Sequence, residues 1–395
     1  MNDTAAPADA LTRAHRVLIV SGEASGDQHA AQLVAAVRRR APETVFSGIG
    51  GEAMRRAGVE ILVDAATLAV VGLVEVLIHY RTLRAALEQM RRRLRDERPD
   101  LLILVDYPDF NLRLAKTARA LGIKVLYYIS PQVWAWRRKR VHTIRERVDM
   151  MAVVFPFELP FYEAAGVPAR FVGHPLAEEA HSTLTRDQAA TRFGLDPARP
   201  VVGLFPGSRR GELQRLLPLQ IEAARRLQAE MPAVQFILPR ASTLSEEAID
   251  MHLRGAAVEI TRVAGHFYDV IQSCDAIVSA SGTATLEIAL MGKPLAVVYR
   301  VNPISYRIMR RLIRVDHIAL CNIVAGQRVA TELIQDEATA EAISRELGRL
   351  LNDAAYAARV REGFKRLREQ LAGDGRSTDI ASLALEMLGA PQGRT

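Results

Sequence analysis

The chain has 395 residues, 49% hydrophobic and 25% charged, a balance that suits a globular enzyme of two domains better than a single core. A net charge of +7 points to an anionic partner, phosphate or an acidic membrane surface, and no zinc-finger, RRM or basic-zipper pattern accompanies it, so no nucleic-acid partner is expected. Cys274 and Cys321 lie far apart without CxxC spacing, which argues against a disulfide framework or a zinc site and suits a reducing, cytoplasmic compartment.

In chain order, residues 1–15 read as a disordered polar segment without the features of a signal peptide. A buried strand is expected at 16–20 (RVLIV), a helix at 28–40 and a strand at 44–49. A long helical pattern starts in 68–80 and runs through Leu83, Leu87 and Met90 into the arginines of 91–95. Its apolar density exceeds what one face requires. Val70, Val71, Leu73, Val74, Val76, Leu77 and Ile78 are therefore candidates for a membrane patch beside cations that would meet anionic lipid, against the plainer reading of a buried core helix. No run approaches the roughly 20 apolar residues of a membrane span.

Strands at 101–105 (LLILV), 124–129, 149–154 and 170–172 complete a first series. A second series is expected at 200–204, 234–238, 257–260, 276–279 and 294–298. Apolar strands without alternation, separated by helical patterns, indicate an α/β fold of two Rossmann-like, doubly wound parallel sheets. The polar, proline-containing stretch 173–200 divides them. Expected domains are 16–176 and 177–337, followed by a helical tail, 338–395, that docks elsewhere, one option being the first domain. Ligands of such folds bind beyond the carboxyl ends of strands, and two such domains facing each other leave a cleft.

Four strand ends carry chemistry. After the first strand comes SGEASGD, in which Glu23, Ser25, Gly26 and Asp27 form either a ligand-approaching turn or a tight turn with Asp27 capping the helix. After 101–105 comes DYPDFN. Asp109 reads as a cap for a helix starting at Phe110, whereas Asp106, before the proline, reads as a general base for an acceptor hydroxyl. In PGSRRGE, residues Gly207, Ser208, Arg209 and Glu212 place small residues and a guanidinium at a helix start, the physical description of a phosphate site. In ASGTATLE, Ser281, Gly282, Thr283 and Ala284 offer amides and hydroxyls to a diphosphate, and Glu287 on the first helical turn can accept from ribose hydroxyls. Both tryptophans, Trp134 and Trp136, share one loop with Arg137 and further cations; they read as contacts for a sugar, an acyl chain or phosphate, or as core anchors beside a solvated face. His174, between the two halves, could face the cleft, but a lone histidine is more often structural.

Taken in order, SGEASGD, DYPDFN, SPQVWAWRRKR, FVGHP, PGSRRGE and ASGTATLE closely resemble the lipid-A-disaccharide synthase family over nearly the whole chain. The tryptophan loop and DYPDFN are specific to that family, while the two later turns are shared more widely among UDP-sugar enzymes. The resemblance implies an inverting glycosyltransferase of GT-B fold in lipid A biosynthesis. Such an enzyme joins UDP-2,3-diacylglucosamine, its UDP-sugar donor, to 2,3-diacylglucosamine 1-phosphate, its lipid monosaccharide 1-phosphate acceptor. It would work as a peripheral protein on the inner face of the inner membrane, as a homodimer with exchanged C-terminal segments. The resemblance puts the catalytic aspartate on Asp106, the donor-side arginine and glutamate on Arg209 and Glu287, and a further donor residue on Asn322, with Glu332 beside it. Cys321 departs from the family's usual proline. No carboxylate cluster reads as a magnesium site, so no cofactor and no obligatory metal are expected. Alternatives are another UDP-sugar enzyme of this fold, such as a 2-epimerase, or a non-catalytic membrane-associated UDP-sugar binding protein.

Overall fold

The structure, a computed structural model, describes residues 14–68, 73–136, 138–302, 306, 316–372 and 379–389; for Ala24 and for residues 73–80 and 135–136 it describes the backbone alone. Val70, Val71 and Arg137 lie outside the described residues. Leu73, Val74, Val76, Leu77 and Ile78 lie on the helix Leu73–Glu97, and Trp136 on the helix Val133–Trp136, with their side chains likewise outside what is described.

The chain forms two compact units. The first holds β1 (Arg16–Ser21), β2 (Val45–Gly50), β3 (Glu60–Asp64), β4 (Leu101–Val105), β5 (Lys124–Tyr128), β6 (Met150–Val153) and β7 (Ala169–Phe171). They make one parallel sheet in the order β3-β2-β1-β4-β5-β6-β7. β4 is buried along its whole length, as its unbroken apolar run requires of a central strand covered on both faces. Register pairs Ser21 with Val105, so β1 and β4 end level where the strand order reverses.

The second unit repeats the plan with β8 (Val201–Phe205), β9 (Gln235–Arg240), β10 (Ile260–Ala264), β11 (Ala276–Ala280), β12 (Leu295–Tyr299) and β13 (Thr331–Ile334), in the order β10-β9-β8-β11-β12-β13. Phe205 pairs with Ser279, which brings the turns after β8 and β11 side by side.

Several boundaries differ from those read in the sequence. β3 and β13 are additional strands; both are half-buried sheet edges, so neither shows the continuous apolar run that marks a central strand. β10 lies at Ile260–Ala264 instead of 257–260, again an edge strand with a weak apolar signal. The units divide at Gly173/His174 instead of after Leu176, because the helix Leu176–Glu179 packs on Thr283–Leu290 and Ala354–Ala372. The tail is not one body. Helices Ala340–Asn352 and Ala354–Ala372 pack on second-unit helices, the former capped by Thr339 Oγ1, which accepts from the Ala342 amide at 3.1 Å, a contact of about 1 kcal/mol. Only the last helix, Ile380–Leu388, joins the first unit, against Ala24–Arg40 and β5. Its Leu383, Ala384 and Leu385 are buried, and the Arg170 guanidinium grips Glu386 with two bonds of 2.5 and 2.8 Å.

Candidate active site

The turn after β4 is held in an unusual shape. Asp106 and Tyr107 both have φ of 48°, left-handed values that cost a non-glycine residue about 1–3 kcal/mol each. The surroundings enforce them. Asn111, fully buried, donates from Nδ2 to the Val105 carbonyl at 3.3 Å and to the Asp106 carbonyl at 2.7 Å. The Tyr127 hydroxyl donates to the same Asp106 carbonyl at 2.5 Å, and the Asp106 amide donates to the Tyr128 carbonyl at 3.1 Å. Tyr107 lays its ring on Gly22, where a β-carbon would stand 2.5 Å from the ring, so only glycine admits the contact. Pro108 starts the helix Pro108–Ala120 with the φ that a first helical turn needs. Asp109 therefore sits inside the first turn and pairs with Arg140 at 2.5 Å; it does not cap a helix beginning at Phe110.

Burial pushes the Asp106 carboxyl from 3.8 to about 6, the charge of Glu23 pushes it the same way, and the Tyr107 amide pulls back. A carboxylate that has lost part of its hydration but ionises below neutral pH is suited to accept a proton from a hydroxyl. Glu23 is exposed beside it at the end of β1, next to exposed Ser25.

Other expected contacts of this unit have structural work. Asp27 is buried, and its carboxylate accepts from the amides of Gly51 (2.6 Å), Ala53 (2.9 Å) and Met54 (3.3 Å). It caps the following helix, Glu52–Arg56, and not its own helix. Gly26 packs against Ser21 Oγ. Trp134 is a core anchor: its indole N–H donates to Glu158 Oε1 at 3.1 Å and its ring meets Phe157 edge-on at 4.9 Å. Glu158 is only 1% exposed, and burial pushes its carboxyl up to about 7 against hydrogen bonds from Ser130, the Phe155 amide and Trp134. Nothing in the sequence singled it out.

In the second unit the turns after β8 and β11 border one cavity of about 820 Å³. Gly207, Ser208, Arg209, Glu212, Ser281, Gly282, Thr283, Ala284 and Glu287 all line it, with Phe205 and Phe267. Its size suits a nucleotide-sized ligand. The two turns differ. Glu212, at the third position of the helix Arg210–Glu230, accepts from the amides of Ser208 (3.1 Å) and Arg209 (3.2 Å) and from Arg209 Nη1 (3.1 Å). The chain's own carboxylate thus fills the anion position where free amides were expected. Gly207, at φ 100°, lies against that carboxylate, and the Arg209 side chain is 82% exposed at the rim.

The turn after β11 is open. Gly282 caps the helix Thr283–Leu290 without a side-chain hydrogen bond, and a β-carbon on it would meet nothing within 4 Å among the described residues. The hydroxyls of Ser281 and Thr285 donate to the carbonyls of Ile318 (2.9 Å) and Gly282 (2.8 Å). Because the helix begins at Thr283, Glu287 stands on its second turn, beyond the reach of the first-turn dipole effect that offered a purely structural explanation of it. Burial raises its pKa and the charge of Glu179 adds to this, while a 3.0 Å hydrogen bond from the Tyr268 hydroxyl opposes both.

Asn322 does not line the cavity. Fully buried, it accepts from the amides of Val329 (2.8 Å) and Ala330 (2.9 Å) and donates to the Ala330 carbonyl and Glu332 Oε1 (both 2.8 Å). Glu332 in turn accepts from the amides of Ile318 and Ala319. The pair braces the segment whose Ile318 carbonyl holds Ser281, so its link to the cavity is indirect. Cys321 is buried with its thiol pushed up to about 12, which leaves it inert at neutral pH.

Residues 17–386 match the family model described as lipid-A-disaccharide synthetase. The lipid-A-disaccharide synthase of Geobacter sulfurreducens is 56% identical over 95% of this chain and 98% of its own. Among solved structures, the UDP-GlcNAc 2-epimerase of Neisseria meningitidis bound to UDP-GlcNAc aligns over 94% of this chain and 99% of its own, with a TM-score of 0.61 and 13% identity. The calicheamicin glycosyltransferase CalG4 aligns over 95% and 99%, with a TM-score of 0.60 and 17% identity. At these identities the structural likeness is one of fold alone, and that fold is the α/β GT-B type.

Proposed function

The chain belongs to the lipid-A-disaccharide synthase family, and from that premise we propose that it transfers the sugar of UDP-2,3-diacylglucosamine to the 6-hydroxyl of 2,3-diacylglucosamine 1-phosphate, releasing UDP. The observation that carries the chemistry is Asp106, a part-buried carboxyl with its pKa raised to about 6 and its backbone clamped by Asn111 and Tyr127. Its carboxylate takes the proton of the acceptor hydroxyl as that oxygen bonds to the anomeric carbon. The bond from that carbon to the diphosphate breaks on the opposite face, giving the β(1→6) disaccharide 1-phosphate with inversion. The leaving group is already a diphosphate, so it needs charge stabilisation more than a proton. The open amides of Gly282, Thr283 and Ala284 supply it, with Arg209 at the rim and Glu287 on the ribose.

The net charge of +7 supports an anionic membrane surface as a partner, and the family resemblance supports the inner face of the inner membrane as the working place and a homodimer as the assembly. Among the described residues no helix is long and apolar enough to cross a membrane.

The test incubates the protein with donor and acceptor in detergent and follows both UDP and disaccharide. Stoichiometric formation of the two is expected. UDP release without disaccharide would assign a different acceptor, and UDP binding without either product would make the chain a binding protein.

A further inference from the structure

Glu287 has a partner that no sequence pattern joins to it. Tyr268 lies on a separate helix, Phe267–Ser273, 19 residues away, and its hydroxyl meets Glu287 Oε1 at 3.0 Å. Burial and the charges of Glu287 and Glu179 push the Tyr268 hydroxyl well above its ordinary value, so it keeps its proton and is the donor in this bond. Its ring is held in turn. Phe267 meets it at 5.8 Å between centroids, and Phe205, at the end of β8, meets Phe267 at 5.7 Å. Phe205, Phe267 and Glu287 all line the cavity.

Among the described residues no cation pairs with Glu287. A carboxylate that is half-buried, repelled by Glu179 and held by one neutral donor is short of hydrogen bonds on its cavity side. It stands one helical turn, about 5.4 Å of rise, beyond the open amides at Gly282 to Ala284. A nucleoside diphosphate whose phosphates rest on those amides brings its ribose hydroxyls to that height.

We propose that Tyr268 is a positioning residue for nucleotide selection: by occupying Oε1 it fixes the Glu287 carboxylate with Oε2 turned to the cavity, where it accepts from the 2′- and 3′-hydroxyls of a ribose. This rests on the reading of the cavity as the UDP-sugar site. Tyr268 touches no ligand in this scheme and acts only through Glu287.

The test measures binding of UDP and of 2′,3′-dideoxy-UDP to the full chain by calorimetry, for the wild type and for Tyr268→Phe, which keeps the ring and its contact with Phe267. Thermal unfolding of both proteins confirms the fold. The wild type should bind UDP at least about tenfold more tightly than the dideoxy analogue, as expected for hydrogen bonds to a charged acceptor. Tyr268→Phe should narrow that ratio about fivefold while leaving the affinity for the dideoxy analogue within about twofold, a coupling that a general loss of packing does not produce. An unchanged ratio in the variant, or an equal loss for both ligands, overturns the positioning role. A wild type that does not distinguish the two ligands overturns the ribose assignment of Glu287 itself.

Discussion

The turns after β8 and β11 look alike in sequence and are built differently. Each follows a buried central strand, contains a glycine and opens a helix onto the same cavity. After β8 the helix start is closed by Glu212, which takes the Ser208 and Arg209 amides. After β11 the helix start has no side-chain cap, and a β-carbon on Gly282 would meet nothing within 4 Å among the described residues. A glycine-rich strand-to-helix turn is therefore not in itself an anion site. What decides is whether a residue three positions into the helix carries a carboxylate that reaches back.

Substitutions that separate chemistry from binding sharpen this difference most. Asp106→Ala should lower turnover by about a hundred- to ten-thousandfold. UDP affinity should stay within about twofold, because Asp106 lies on the first unit and the turns proposed to hold the donor on the second. Gly282→Ala should fold and melt like the wild type, since its φ of 172° suits any residue and its β-carbon meets nothing within 4 Å among the described residues. The same β-carbon should keep a phosphate from the amides and weaken UDP binding by about tenfold. Gly207→Ala should do the reverse, losing about 1–3 kcal/mol of stability by denaturant titration, because a β-carbon at φ 100° is strained and collides with Glu212. If Gly282→Ala leaves UDP binding intact while Gly207→Ala abolishes it in a protein of normal stability, the two turns have been assigned the wrong way round. Arg209→Ala should cost about two- to fivefold in UDP affinity, the modest effect of an exposed charge at a rim.

Much of the fold was legible because its central strands are continuous apolar runs: residues 101–105 are all buried in β4. The edge strands β3 and β13 were not, since half-exposed positions mix polar and apolar residues. At the site, DYPDFN announced a carboxylate fixed by a proline, and Asn111 and Tyr127 supply the clamp behind it. The closure of the β8 turn was in principle readable, since Glu212 follows Arg209 at the spacing of a capping box. The pairing of Trp134 with Glu158 joins residues 24 apart and that of Tyr268 with Glu287 residues 19 apart, and such contacts exist only after the strands between them have aligned. Asn322 shows the converse: a residue carried over by resemblance as a ligand contact is occupied in bracing a loop.

The acid limb of kcat/KM for disaccharide formation asks whether Asp106 is the base. Because its carboxyl titrates near 6 when folded, the ratio should fall with unit slope as pH drops through about 6. In Glu23→Gln, which removes the neighbouring charge, that limb should move to lower pH. A wild-type profile that stays flat well below pH 6, or a limb that Glu23→Gln leaves in place, would contradict the assignment of Asp106 as the base in this electrostatic setting.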